Sequence, residues 1–208
     1  MILSRRRLVT GTAFWLLGAR PSFAALTGAA ASAPTATIKA FYDTLLEVMK
    51  KAKQQNIRQR YAELKPAILK AFDLAFMTRI AVGPKWSSFS LAERQKLVAA
   101  FRRYTVASYA RNFDSYSGER FEVSPEPAKS PGGVIVESRL VPAGGKAITL
   151  NYLMRRNGGR WQIADVYLKG TISQLAVRRS EFADVLSRSG AEGLVRLLDR
   201  KAAALAAG

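Results

Sequence analysis

The spacing of the apolar residues changes twice along this chain, and nothing else in the sequence limits the fold so strongly. From Thr37 the interval is three and four: Ile38, Phe41, Tyr42, Leu45, Leu46 and Met49 share one helical face. A second helix is predicted over Ile57–Ile68, with Pro66 as a kink or break because proline has no N–H and crowds the preceding turn. A short third helix covers Phe72–Gly83 and stops at Gly83-Pro84. Ser90-Leu91-Ala92-Glu93 has the form of a capping box and opens the longest helix, Leu91–Phe113.

The interval then falls to two. Val134, Val136, Ser138 and Leu140 alternate with Ile135, Glu137, Arg139 and Val141; Ile148, Leu150, Tyr152 and Met154 alternate with Thr149, Asn151 and Leu153. Asn157-Gly158-Gly159 marks a hairpin turn before Trp161–Leu168. With Phe121–Val123 as a weaker first strand, four antiparallel strands are predicted. Helical spacing returns over Ile172–Arg188 and Ala191–Leu205, broken at Gly190. Helices, a meander, then helices again make an α+β fold: a curved four-stranded antiparallel sheet packed with N-terminal and C-terminal helices. Tyr152–Met154 and Trp161–Leu168 carry apolar residues on both faces. Either helices cover both sides, or the sheet curls around an interior.

Ahead of the fold, Arg5, Arg6 and Arg7 precede the mildly apolar run Leu8–Leu17, and Ser22-Phe23-Ala24 follows. That order is the n, h and c layout of an export signal, and the run is too short for a span of roughly 20 residues. Ser4-Arg5-Arg6-Arg7-Leu8-Val9 also resembles a twin-arginine signal; an ordinary secretory signal with an incidental arginine run is the competing reading. Residues 1–24 are read as the signal, 25–36 as a flexible leader rich in Ala, Ser, Thr and Pro, and 37–208 as one domain. The mature protein is expected to be soluble and exported.

Composition removes several classes of chemistry. The chain has no cysteine and no histidine, which excludes disulfides, thiol catalysis, the usual triads and the commonest zinc sites. Acids are sparse and unclustered, so no metal site is predicted. A formal net charge of +18 favours polyanionic partners. In the cytosol nucleic acid would lead that list; outside it, anionic membrane surfaces and acidic proteins do, and no nucleic-acid partner is expected.

Several stretches resemble one family. "FDLAFMTRIAVGPKW", "YARNFDSYSG", "ITLNYLMRRNGGRWQIADVYLKG" and "ISQLAVRRSEFADVLSRSGAEGLVRLL" occur in order between Ile38 and Leu198. They are similar to the MlaC family, also called toluene-tolerance auxiliary proteins, and within it to the hopanoid-associated HpnM branch. The most specific elements are Phe72-Asp73, Gly83 with Trp86, Tyr109 through Gly118, the W-x-x-x-D-V-x-x-x-G of Trp161 to Gly170, and Arg178 with Phe182. One departure stands at Gly170-Thr171-Ile172-Ser173, where the family runs Gly-Val-Ser-Leu; the extra polar residue leaves the start of the following helix open by one position.

The resemblance implies a periplasmic, non-catalytic lipid carrier with a deep apolar cavity in a cone-like fold similar to nuclear transport factor 2. It implies a bound phospholipid or hopanoid-type lipid and no other cofactor. Its expected partners are an inner-membrane ATP-driven transporter complex and an outer-membrane lipoprotein complex. The sheet offers Val134, Val136, Leu150, Tyr152, Met154, Ile163 and Val166 to such a cavity. The helices offer Phe72, Phe76, Met77, Leu97, Phe101, Tyr104 and Tyr109. For each, a closed hydrophobic core is the competing reading. Arg155 and Arg156 at the hairpin end are candidates for head-group or membrane contact. By strict alternation Asp165 shares a face with Trp161, Ile163 and Tyr167, so it needs a partner if buried. Arg178 is the candidate partner; the alternative is a general base in a small isomerase-like enzyme.

Overall fold

The computed structural model describes residues 33–207. The predicted export signal, 1–24, and most of the predicted leader, 25–36, lie outside the described residues. Helix α1, Pro34–Lys51, begins ahead of Thr37 because Pro34 occupies the first turn, where its missing N–H costs nothing. It buries Ile38, Phe41, Tyr42, Leu45, Val48 and Met49. Helix α2, Ile57–Ala71, starts at a capping box: Asn56 Oδ1 accepts from the Gln59 N–H at 3.0 Å, and Gln59 Oε1 from the Asn56 N–H at 2.9 Å. It does not stop at Pro66, which sits exposed within it. Asp73 caps α3, Leu74–Val82, accepting from the Phe76 N–H at 3.0 Å. The predicted box of Ser90 and Glu93 opens α4, Leu91–Asn112. Helix α5, Gln174–Ala206, is interrupted at Gly190, whose φ of 58° and ψ of −158° are open to glycine alone.

The sheet holds seven strands rather than four: β1 Arg120–Val123, β2 Ala128–Ser130, β3 Gly133–Val136, β4 Ser138–Val141, β5 Ile148–Asn157, β6 Arg160–Leu168 and β7 Ile172–Ser173, all paired antiparallel. The predicted frame survives within that count. β3 and β4 hold one register against β5, Val136 opposite Tyr152 and Arg139 opposite Thr149, so they are halves of one predicted strand interrupted at Glu137. β1 and β2 pair with those halves, and the step between them contains Pro125 and Pro127, which edge positions tolerate. The two-residue β7 extends the sheet beyond β6. The β5–β6 hairpin turns on Gly158 and Gly159, both at positive φ as a type I′ turn requires.

A bulge in β6 resolves the two-faced apolar pattern. Leu153 lies opposite Asp165, yet Met154 lies opposite Ile163, which leaves Ala164 as an extra residue. The insertion flips the alternation. Ile163 faces the same side as Val166 and Leu168, and Asp165 and Tyr167 face the other. Strict alternation therefore misplaced Asp165.

Helix α1 crosses the inner face of the sheet against β1, β3 and β6, while α4 and α5 pack together with α3 against both. Glu137, between β3 and β4, and Arg139 of β4 are exposed, so the opposite face meets solvent there, whereas at β6 the buried Asp165 shows that face covered. No described helix is long and apolar enough to cross a membrane.

Candidate functional site

A hollow remains where the inner sheet face meets α4 and α5. It measures about 240 Å³. Leu150 and Tyr152 of β5 with Val166 and Leu168 of β6 form its floor. One stripe of α4 forms a wall, from Phe101 through Tyr104, Thr105, Ser108, Tyr109 and Asn112 to Phe113 just past the helix end. Gln174, Leu175 and Arg178 from the first turns of α5 face it, and Phe72 with Met77 close the remaining side.

The stripe alternates bulk with absence of bulk. Thr105 and Ser108 stand among aromatic rings and leave space. Their hydroxyls donate to the Phe101 and Tyr104 carbonyls, each at 2.8 Å, so they add little free polarity to the hollow. Tyr109 is held by Phe41 and Phe72, at 5.4 and 5.6 Å between ring centroids, and stacks on Phe113 at 5.6 Å. Burial pushes the Tyr109 and Tyr152 hydroxyls well above the ordinary tyrosine range, so both are neutral lining groups. Behind the floor the Tyr42 hydroxyl lies 2.6 Å from Ser138 Oγ and 2.9 Å from the Tyr152 hydroxyl, which satisfies the buried polar atoms of that layer.

The structure brings eight of the predicted residues to this hollow: Phe72, Met77, Phe101, Tyr104, Tyr109, Leu150, Tyr152 and Val166. It does not bring the other six. Leu97, Val136, Met154 and Ile163 are fully buried in the closed core, and Phe76 and Val134 are half-buried against other neighbours. The competing core reading holds for Leu97, Val136, Met154 and Ile163, whereas Phe76 lies against Arg79 and Arg155. As lining residues, sequence reasoning missed Thr105, Ser108, Asn112, Phe113, Leu168, Gln174, Leu175 and Arg178. For Ser108, Asn112 and Phe113 a signal existed: the three-and-four stripe of α4 continues through them. Leu168 was hidden by the bulge.

Arg155 and Arg156 do not line the hollow. Arg155 Nη1 donates to Asp73 Oδ2 at 2.6 Å, and its guanidinium lies 4.3 Å from the Phe76 ring centroid. Arg156 lies over the Trp161 ring at 5.2 Å. Among the described residues, the cation that does reach the hollow is Arg178.

Arg178 is not the partner of Asp165. Asp165 Oδ1 accepts from the Val166 and Leu175 N–H groups at 2.7 and 3.1 Å, and Oδ2 accepts from Ser173 Oγ at 2.5 Å. The carboxylate thus ties β6 to the start of α5. Both of its oxygens are engaged, and it is not part of the hollow's lining. That placement removes the geometric basis for a general base at Asp165.

Residues 39–200 match the model of a family described as MlaC protein. Among solved structures, the chain is similar to a phospholipid-binding protein from Ralstonia solanacearum, determined in complex with a phospholipid. The two superpose with a TM-score of 0.72 at 25% sequence identity, over 83% of this chain and 98% of the other.

Proposed function

The chain belongs to the MlaC protein family, and from that premise we propose that it is a non-catalytic carrier that shields lipid tails while they cross the periplasm between membrane complexes. The observation that carries this reading is the apolar hollow between sheet and helices in a fold whose relative was solved with a phospholipid. Each CH₂ of an acyl chain exposed to water costs about 0.8 kcal/mol, so a carrier gains most from an apolar sleeve with a polar rim. The hollow supplies both: aromatic and aliphatic walls, with Asn112, Gln174 and Arg178 as the polar contributors.

At about 240 Å³ the hollow is slightly smaller than the roughly 300–1,000 Å³ of common ligand pockets. Two full acyl chains therefore require its walls to part. Phospholipid is the favoured cargo because of the relative; a hopanoid-type lipid is the alternative. The n, h and c layout of residues 1–24 supports export. The basic charge, +18 for the whole chain and +14 without the four arginines of residues 1–24, supports docking on anionic membrane surfaces and acidic partners. The partners proposed are an inner-membrane ATP-driven transporter complex and an outer-membrane lipoprotein complex. The sequence carries no nucleotide-phosphate loop motif, which fits transfer by passive exchange with docking partners, any energy input being the transporter's.

The test is the cargo itself. Protein purified gently from its own cells should carry lipid, seen as an added mass in native mass spectrometry and identified after solvent extraction. Protein that is uniformly empty, and that takes up no lipid from vesicles, would overturn the proposal.

A further inference from the structure

Among the described residues one charged side chain, Arg178, lines the hollow, and its surroundings define a site. Arg178 lies with its guanidinium 5.1 Å from the Tyr104 ring centroid, and its Nη1 donates to Glu181 Oε2 at 2.8 Å. Lys201 Nζ stands 3.6 Å from that same Glu181 oxygen and 5.9 Å from the same ring. Two cations from separate turns of α5 therefore converge on one carboxylate above one wall of the hollow. The cluster carries one positive charge more than its acid neutralises.

The other polar side chains there are largely committed. Thr105 and Ser108 are bonded to their own helix, and Gln174 Nε2 donates to the Ile172 carbonyl at 3.2 Å. Among the described residues Arg178 makes a single hydrogen bond, which leaves most of its five N–H donors for a second acceptor. A planar guanidinium fork suits a phosphodiester, with two oxygens accepting in parallel, and an ammonium adds a point charge.

We propose that Arg178, assisted by Lys201, binds the phosphate of a lipid whose tails occupy the hollow, and that Glu181 is the resident counter-ion which the phosphate displaces. This rests on the carrier reading and refines it. It makes the cargo phosphate-bearing, and it makes the site discriminate against lipids with the same tails and a neutral head. Glu181 keeps the cations together in the empty protein and competes with the incoming phosphate, so it weakens affinity while sharpening exchange.

The experiment compares two ligands on delipidated full-length chain by titration calorimetry: dioctanoyl phosphatidylglycerol and dioctanoylglycerol, identical in their tails. Wild type is expected to prefer the phosphate-bearing lipid by roughly tenfold or more, the scale of charge-assisted hydrogen bonds. R178Q should reduce that ratio towards one by weakening the phosphate-bearing lipid more than dioctanoylglycerol, and R178K should fall between. E181Q should bind the phosphate-bearing lipid several-fold more tightly. Inorganic phosphate alone should bind at least a hundredfold more weakly than the lipid, since it brings no tails. The inference is overturned if wild type does not discriminate, if R178Q weakens both ligands equally, or if inorganic phosphate binds as well as the lipid. Binding of neither lipid to folded wild type would instead defeat the carrier reading, so the two failures are distinguishable.

Discussion

Asp73 and Arg155 lie 82 positions apart and meet at 2.6 Å, joining the head of α3 to strand β5. Asp73 is almost fully buried and also accepts from the Phe76 N–H and from Asn157 Nδ2 at 3.1 Å. It therefore caps a helix and anchors it to the sheet in one contact. Truncation in D73A should cost about 2–4 kcal/mol, from the lost cap and the broken pair. R155Q should cost less, because Arg155 is a third exposed and water screens part of the attraction. D73N keeps a capping oxygen and should fall between alanine and wild type. Urea melts of the three variants check the order; equal stability of D73A and wild type would refute the anchor.

Filling the hollow should separate cavity from core. Ser108 lines the empty volume, so S108W should change stability by less than about 1 kcal/mol while abolishing lipid uptake. Leu97 is fully buried outside the hollow, so L97A should cost about 2–5 kcal/mol and leave lipid per folded molecule unchanged. Thermal melts combined with lipid extraction read both effects. Full lipid occupancy in S108W would place the cargo elsewhere.

Asp165 holds three donors at the junction of β6 and α5. D165A strands the buried Leu175 N–H and should destabilise by about 2–4 kcal/mol. Refolded D165A protein should still take up lipid, because the carboxylate stands outside the lining. Loss of lipid uptake by the folded variant would contradict that placement.

Alkaline pH should expose the buried tyrosines. Burial pushes Tyr42 from the ordinary 10.0 up to about 12, although its bonds with Ser138 and Tyr152 pull it down in part. Because the folded value is raised, its contribution is complete below pH 10, where the unfolded side chain is still neutral. Above 10 the unfolded chain ionises first, and the contribution is lost as pH rises towards 12. Y42F should cost about 1 kcal/mol at pH 8 through the lost hydrogen bonds. It should also flatten the decline between pH 10 and 12. Tyr109 and Tyr152 shift in the same direction, so some slope persists. Denaturant midpoints measured from pH 8 to 11.5 test this; parallel slopes for Y42F and wild type would exclude Tyr42 as a contributor.

Much of the architecture was legible in order of residues alone. The switch from helical to alternating spacing at Phe121, the Ser90–Glu93 box and the paired glycines of the hairpin are local signals, because the forces behind them act within a turn or across one strand pair. Pro66 shows the limit of such signals: on an exposed face, with the rest of α2 packed, one missing hydrogen bond does not end a helix. The hollow was only half legible. An apolar stripe records that a face is buried, and it reads the same whether side chains or a ligand fill the space beyond. Leu97 and Phe101 are neighbours on one stripe, yet one packs in solid core and the other lines a void.

By itself the sequence determined the helices and the longer strands, the α+β order, the exclusion of cysteine and histidine chemistry, and the basic charge. Only the tertiary structure decided which face Asp165 occupies, that Arg155 belongs to Asp73, and that Arg178 is the cation at the hollow. The reason is physical. Periodicity is set by backbone geometry a few residues at a time, whereas a single inserted Ala164 reverses the facing of a strand, and partners of a buried charge are chosen by packing between segments far apart in the chain.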